Sequence, residues 1–374
     1  MMARPHFPFA WLLASATLSA QTATVFPGAT WERRAPAQAG LDAVKLDAFI
    51  ANVGGDGVIV RDGYLVKTWG EQTSHKWWAS ASKPVLSTLL LAAVQDGKLA
   101  AVDAPVRSAG WELSAKDAAM TFRHLANMTS GYALAEPPGA AWGYNDFAIQ
   151  LYARSLEKIF AAPLDAAFRA RFAALEFEDG AFFGHRDGLG VIASPRDFAR
   201  LGWLWLNRGR WRDAEILSEK LFIANIRPQV PPDSPRAVVA QGAKPDDYLA
   251  IGSYGGGTNQ TPHGPGVYGF NFWFNTPTPT GPRVWPAAPA DTYQANGLWN
   301  RDTVTIFPGL RMVVAVRGAH AGRFEPGRAD GEFNLNLQLL ADAAGVPRGA
   351  PTANAPPATV FPGKDWEVAA PALQ

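Results

Sequence analysis

The chain contains no cysteine. Disulfides, thiol nucleophiles, cysteine-ligated metals and a lipid-modified N-terminal cysteine are therefore excluded. Histidine is sparse: the six residues (His6, His75, His124, His185, His263, His320) are scattered and show no ligand spacing such as H-E-x-x-H. No G-x-S-x-G is present, so the exposed nucleophile elbow of a Ser-His-Asp hydrolase has no candidate. Charge is balanced, 34 Lys and Arg against 33 Asp and Glu. That balance gives no reason to expect nucleic acid or an anionic membrane surface as a partner. No stretch beyond the N-terminus approaches about 18 uninterrupted apolar residues, so no membrane span is expected. One G-x-G-x-x-G, Gly264 to Gly269, leads into a strand rather than from strand to helix, and so lacks dinucleotide-binding context.

What is present begins with a leader. Arg4 precedes an apolar stretch, Phe7 to Leu18, and small residues at Ser19-Ala20 suit cleavage before Gln21. Residues 1–20 are thus expected to be a signal peptide, placing the protein in the periplasm or the medium. Removing Arg4 with the leader lowers the formal charge from +1 to zero. An exported chain without disulfides must rely on its core, and roughly 350 residues suffice for one or two domains. Fourteen tryptophans and 21 phenylalanines supply the apolar area.

Apolar spacing predicts a helix over 41–53, and Asp62-Gly63 between two apolar runs predicts a hairpin over 57–69. Further helices are expected from Ser80 to Gly97, over 146–160 and 166–175, and from Ser194-Pro195 through Leu206, with a short amphipathic segment over 121–128. Strands are expected over 267–274, 303–307 and 310–316, with a last helix over 331–344. Strands at both ends with helices between them suggest an α/β layer completed by distant segments, with the helical middle inserted. The expected organisation is a discontinuous α/β domain (21–75 and 265–345), a mainly helical domain (76–264) and a tail (346–374). The tail repeats an earlier segment: residues 358–371 match residues 23–36 at ten of fourteen positions. It is either a duplication remnant or a segment that occupies a surface site like that of the first copy.

Ser80-Ala81-Ser82-Lys83 carries the chemistry. Helix positions i and i+3 share a face, so Lys83 can reach back to the Ser80 oxygen. Pro84 belongs in a first turn, where its missing N–H costs nothing. A serine at that N-terminus sits in a field that favours a developing oxyanion, and a desolvated lysine amine can accept a proton.

From Ser80-Ala81-Ser82-Lys83-Pro84 through Gln95-Asp96-Gly97-Lys98-Leu99, the chain resembles the serine β-lactamase and penicillin-binding-protein superfamily. Residues 121–131 and 190–202 resemble later segments of the same superfamily, closest to class C-like esterases and 6-aminohexanoate-dimer-hydrolase-like amide hydrolases. The resemblance implies an α/β (α+β) fold of the β-lactamase/transpeptidase type: an antiparallel sheet flanked by helices, plus an inserted all-helical domain. The family's Tyr-x-Asn reads here Tyr144-Asn145-Asp146. Tyr144 matches the tyrosine that shuttles protons, provided a cation such as Lys83 lowers its pKa. Asp146 stands where most relatives carry Asn. It would pair with Lys83 and keep it charged, shifting the base role toward Tyr144, or else cap the following helix.

The family's third motif, Lys-Thr-Gly or His-x-Gly, departs most. By order along the chain its counterpart is Ala295-Asn296-Gly297, although His320-Ala321-Gly322 also fits by letters. Gly297 would allow close backbone approach, or simply make a turn. The Leu298 amide would join that of Ser80 as an oxyanion hole. Loss of the motif's lysine argues against carboxylate-bearing substrates. Trp77, Trp78, Trp142, Trp273 and Trp299 crowd these motifs, as core or as an apolar acyl pocket. The expectation is an exported serine hydrolase in which Ser80 forms an acyl-enzyme with Lys83 and Tyr144 removing its proton, with no metal or organic cofactor implied. Asp146, Asn296, Gly297 and Leu298 would serve the oxyanion or the substrate, a small-molecule ester or short amide. The alternatives are a β-lactamase or D,D-peptidase, and an inactive relative that binds envelope ligands or a partner.

Overall fold

The structure, a computed structural model, describes residues 24–185, 189–238, 246–255, 258–259, 261, 263–277, 281, 283–320 and 331–346. The expected leader and the second copy of the repeat lie outside them. Asp56–Arg61 and Tyr64–Trp69 form the expected hairpin, turning at Asp62 and Gly63 with φ of 52° and 87°. Asp-Gly suits a turn with two left-handed residues. The hairpin completes a seven-stranded antiparallel sheet with strands from the far end of the chain. Across the sheet the order is 268–269, 272–274, 293–297, 302–307, 312–317, 56–61, 64–69. Val58 faces Ala315 in the pairing that joins the two ends of the sequence.

Strand alternation sorts the core into two layers. Ile59, Val314 and Val316 point to one face, where α1 (Ala43–Val53) packs on α8 (Gly331–Ala343). Val58, Val60, Val313 and Ala315 point to the other, into the larger core. There α6 (Pro195–Leu206) lies against the 302–307, 312–317 and 56–61 strands. A Cβ at Gly202 would stand 2.6 Å from Val313 Cγ1 and 2.7 Å from Val304 Cγ1, so only glycine lets the helix sit this close.

The inserted part holds α2 (Lys83–Gln95), α3 (Phe122–Ala126), α4 (Asp146–Phe160), α5 (Leu164–Phe172) and α7 (Glu219–Asn225). It also carries a small sheet, in order 76–77, 189–193, 182–185, that apolar periodicity did not reveal. Capping follows the expected chemistry at α6, where Ser194 Oγ accepts from Asp197 N at 3.1 Å. The helix expected from Ser80 instead opens with a 3-10 turn, Ala79–Ser82, before α2 proper. The strand expected over 267–274 is broken at Phe270 and Asn271, both left-handed. Their amides are drawn off to Asn127 Oδ1 (2.9 Å) and Ala126 O (2.9 Å). Gly264, the first residue of the G-x-G-x-x-G, lies against Trp142, whose ring a Cβ would meet at 2.4 Å; its glycine serves packing.

Candidate active site

The turn bearing Ser80 is pinned from outside. Trp78 N donates to Val191 O (3.0 Å) and its indole to Ala193 O (3.0 Å), while Val191 N donates to Ser82 Oγ (2.8 Å). Ala79, just before the serine, is left-handed with φ 48°. Strain of this kind persists only where surrounding bonds enforce it. The i+3 geometry is realised: Lys83 Nζ donates to Ser80 Oγ at 2.6 Å, with the lysine 1% exposed.

Tyr144 and Asp146 arrive on the start of α4. Asn145, not Asp146, caps that helix, accepting from Phe147 N (3.0 Å) and Ala148 N (3.3 Å). Asp146 is thereby free to face Lys83, with Oδ1 2.8 Å from Nζ and the two side chains 7% and 2% exposed. The contact is an ion pair rather than an aligned hydrogen bond, since Oδ1 has no partner with good angles. Lys83 Nζ also stands 4.7 Å from the centre of the Tyr144 ring and 5.1 Å from that of Tyr254.

The phenol of Tyr144 meets Ser80, yet its pKa is pushed up, not down. Burial is the main cause, the Asp146 charge adds to it, and the Ser80 contact opposes both. The expected lowering of this pKa is therefore corrected: the resting group is a neutral phenol. Tyr254 is a site residue that sequence reasoning missed. Its amide donates to Asp146 O (2.9 Å), and its phenol is raised by burial first and by Asp146 second. Only its place before Gly255-Gly256-Gly257 hinted at a close backbone approach.

The 293–297 strand runs beside the Ser80 turn. A Cβ at Gly297 would meet Trp78 O at 2.8 Å, Ala81 N at 2.9 Å and Ser80 N at 3.2 Å. Glycine here admits the strand to the nucleophile's backbone. His320 lies elsewhere, its ring against Gly54 and its amide bonded to Val53 O (2.8 Å). The 295–297 register thus borders Ser80. After Gly297 come three successive left-handed residues, Leu298, Trp299 and Asn300, with φ 47°, 52° and 67°.

Asn296 braces that turn. Its Oδ1 accepts from Asn300 N (3.1 Å), and its Nδ2 donates to Gln294 Oε1 (3.0 Å) and to Asn300 Oδ1. Gln294 is held in turn by Thr305 Oγ1 (2.8 Å). The Asn296 amide, expected at the oxyanion or substrate, is engaged with the turn instead. Asp302, paired with Gly297 across the strands, binds Arg317 Nη1 (2.9 Å), and Arg317 Nε donates to Trp77 O (2.9 Å).

Between these elements opens a cleft of about 180 Å3. Ser80, Lys83, Tyr144, Asp146, Asn296 and Leu298 line it, with Trp77, Trp273, Trp285, Trp299, Tyr254 and His263 among the walls. Trp273 stacks on Tyr144 with ring centres 6.1 Å apart. Trp78 and Trp142 are core, 0% and 1% exposed. Lys83 is the only lysine or arginine lining the cleft among the described residues. No trio of His, Asp or Glu that could hold a metal occurs among them, and none of their helices is long and apolar enough to cross a membrane. By sequence His185-Arg186-Asp187 suits a surface loop or a cleft wall; residues 186–187 lie outside the described residues.

A family model described as Beta-lactamase matches residues 46–334. No curated protein is significantly similar to the chain. Among solved structures, a beta-lactamase from Mycobacterium bovis aligns with a TM-score of 0.57 at 16% identity, covering 80% of this chain and 99% of its own. A protein assigned as a 6-aminohexanoate-dimer hydrolase from Bacillus anthracis aligns with a TM-score of 0.57 at 17% identity, covering 81% and 82%. A family VIII carboxylesterase gives 0.57 at 13% identity, covering 80% and 96%. At such identities the likeness speaks for the fold.

Proposed function

The chain belongs to the beta-lactamase family of hydrolases, and from that premise we propose that it cleaves an ester or short amide through an acyl-enzyme on Ser80. The observation that carries this reading is the line Ser80 Oγ–Lys83 Nζ–Asp146 Oδ1, half-buried at the serine and buried at the other two, with successive separations of 2.6 and 2.8 Å. An ammonium has no lone pair, and Tyr144 rests as a phenol, so neither alone can take the serine proton. A two-proton relay can. As Oγ attacks the carbonyl carbon, Lys83 turns an N–H into line with Asp146 and gives up that proton while taking the one from Ser80. The tetrahedral oxyanion sits between the amides of Ser80 and Leu298. On collapse, Tyr144 protonates the leaving oxygen or nitrogen. Its phenolate is refilled from Asp146 through Lys83, restoring the resting charges. Water then attacks the acyl-enzyme by the same relay, and Ser80 leaves with its proton.

The substrate reading follows from charge and shape. Among the described residues the one lysine of the cleft is paired with Asp146, and no arginine lines it, which disfavours a substrate held by its carboxylate. Walls of tryptophan suit apolar acyl groups. A solved structure described as a carboxylesterase accords with esters. The reading includes export, on the strength of the apolar leader, with Gln21 as the first mature residue. The test is turnover of a chromogenic ester by wild type and by Ser80→Ala. Wild-type turnover that vanishes in the variant is expected; equal rates would remove Ser80 from the reaction.

A further inference from the structure

Residues 24–36 do not simply trail across the surface; they fill a groove on the α6 side of the sheet. Phe26 packs between Trp203 and Trp211, with ring centres 6.5 and 5.4 Å away. Its neighbours offer backbone carbonyls to side chains of the groove. The Trp203 indole donates to Val25 O (3.0 Å), Arg212 Nη2 to Pro27 O (2.6 Å), and Arg200 Nη1 to Gly28 O (2.8 Å). Trp31, 5% exposed, lies under the Arg200 guanidinium at 5.4 Å and donates its indole N–H to Arg196 O (3.0 Å). The recognition elements are therefore two aromatic anchors five residues apart and a run of carbonyls that any sequence of the same shape could present.

Residues 358–371 carry both anchors in the same spacing, as Phe361 and Trp366, within an otherwise matching Thr-Val-Phe-Pro-Gly. The differences are informative. Four positions differ between the copies: 29, 30, 33 and 34 against Lys364, Asp365, Val368 and Ala369. In the docked copy Ala29, Thr30 and Arg33 are exposed, so changing them costs the groove nothing. Only Arg34, stacked 3.4 Å over the Tyr64 ring, would lose a contact. Every side chain that touches the aromatic groove is kept.

The route is short as well. The end of α8 lies beside the start of α1, with Asp42 N bonded to Ala343 O (2.9 Å), so the tail departs where the first copy arrives. The eleven residues that separate Val346 from the second copy reach roughly 40 Å when extended.

We propose that residues 358–371 are a second ligand for the groove that holds residues 24–36, exchanging with them within one molecule or between two. Two segments that compete for one groove, each tethered at high local concentration, make an exchangeable clasp. An exchange between molecules would link copies of the chain without any new surface.

A benzophenone side chain at position 361 of the full-length protein tests this by photo-crosslinking. The expected products join position 361 to peptides containing Trp203 or Trp211. A band at monomer mass marks exchange within a molecule and one at dimer mass exchange between two; either supports the proposal. Phe26→Ala with Trp31→Ala, which weakens the resident copy, should raise the crosslinked fraction at least about tenfold. Should that double variant not fold, a free peptide of residues 23–36 added to the otherwise unaltered chain should suppress the crosslink, as should Trp366→Ala. No groove crosslink in any of these proteins, or one indifferent to both the peptide and Trp366→Ala, would overturn the proposal.

Discussion

Replacing Asn296 by alanine separates a structural amide from one that sets up the oxyanion hole. Leu298, Trp299 and Asn300 are all left-handed, and each such non-glycine residue costs roughly 1–2 kcal/mol, about 3–6 kcal/mol for the turn. Asn296 opposes that strain with three hydrogen bonds, to Gln294, Asn300 N and Asn300 Oδ1. At about 1 kcal/mol apiece these contribute some 3 kcal/mol. Truncation removes them and lets the turn relax, so strain release offsets much of the lost bonding and net stability falls by only about 1 kcal/mol. In the proposed mechanism the Leu298 amide then no longer meets the oxyanion. Loss of one oxyanion donor lowers kcat about 10²–10³-fold. The assay pairs kcat and KM on a chromogenic ester with urea unfolding. The expected result is a large fall in kcat, a KM near wild type and a small loss of stability. A folded Asn296→Ala with kcat within about threefold of wild type would refute the role.

Asp146→Asn breaks a buried ion pair from one side, which costs about 3–5 kcal/mol of stability, and removes the proton acceptor of the relay, lowering kcat at neutral pH by about 10²–10⁴-fold. A normal kcat in that variant would assign the serine proton to another acceptor. His124 predicts an acid weakness. Burial, aided by Arg123 and opposed by Asp103, lowers its pKa from 6.5 to about 4. Below pH 6.5 the unfolded chain takes up a proton that the folded one refuses until about pH 4. Stability is therefore full near neutrality and falls by about 3 kcal/mol between those values. His124→Asn, whose amide can still accept from Thr121 N, should flatten that fall in urea titrations at pH 7.5 and 4.5; identical slopes would remove His124 as the cause.

The site was legible where chemistry depends on local spacing. Ser80 and Lys83 are three residues apart, and a helical start brings both onto one face, where they meet at 2.6 Å. The hairpin at Asp62-Gly63 and the cap at Ser194 were readable for the same reason. What escaped the sequence depends on long-range burial or on strain. Nothing around Tyr144 in the sequence tells that it is walled in by Trp273 and Tyr268, and that enclosure reverses the expected pKa shift. Tyr254 joins the site through one backbone bond to Asp146, more than 100 residues away. Leu298-Trp299-Asn300 has no glycine to announce a left-handed turn; only the amide ladder from Thr305 through Gln294 and Asn296 makes it tenable. The broken strand at Phe270 and Asn271 likewise follows from acceptors on Ala126 and Asn127, which periodicity cannot see.

The most direct measurement is the intact mass of the protein after exposure to a fluorophosphonate, for wild type and Ser80→Ala side by side. The account predicts a single covalent adduct on wild type, mapped to the peptide containing Ser80, and none on the variant. A folded wild-type protein that takes up no adduct, or a Ser80→Ala protein that labels equally well, would contradict it.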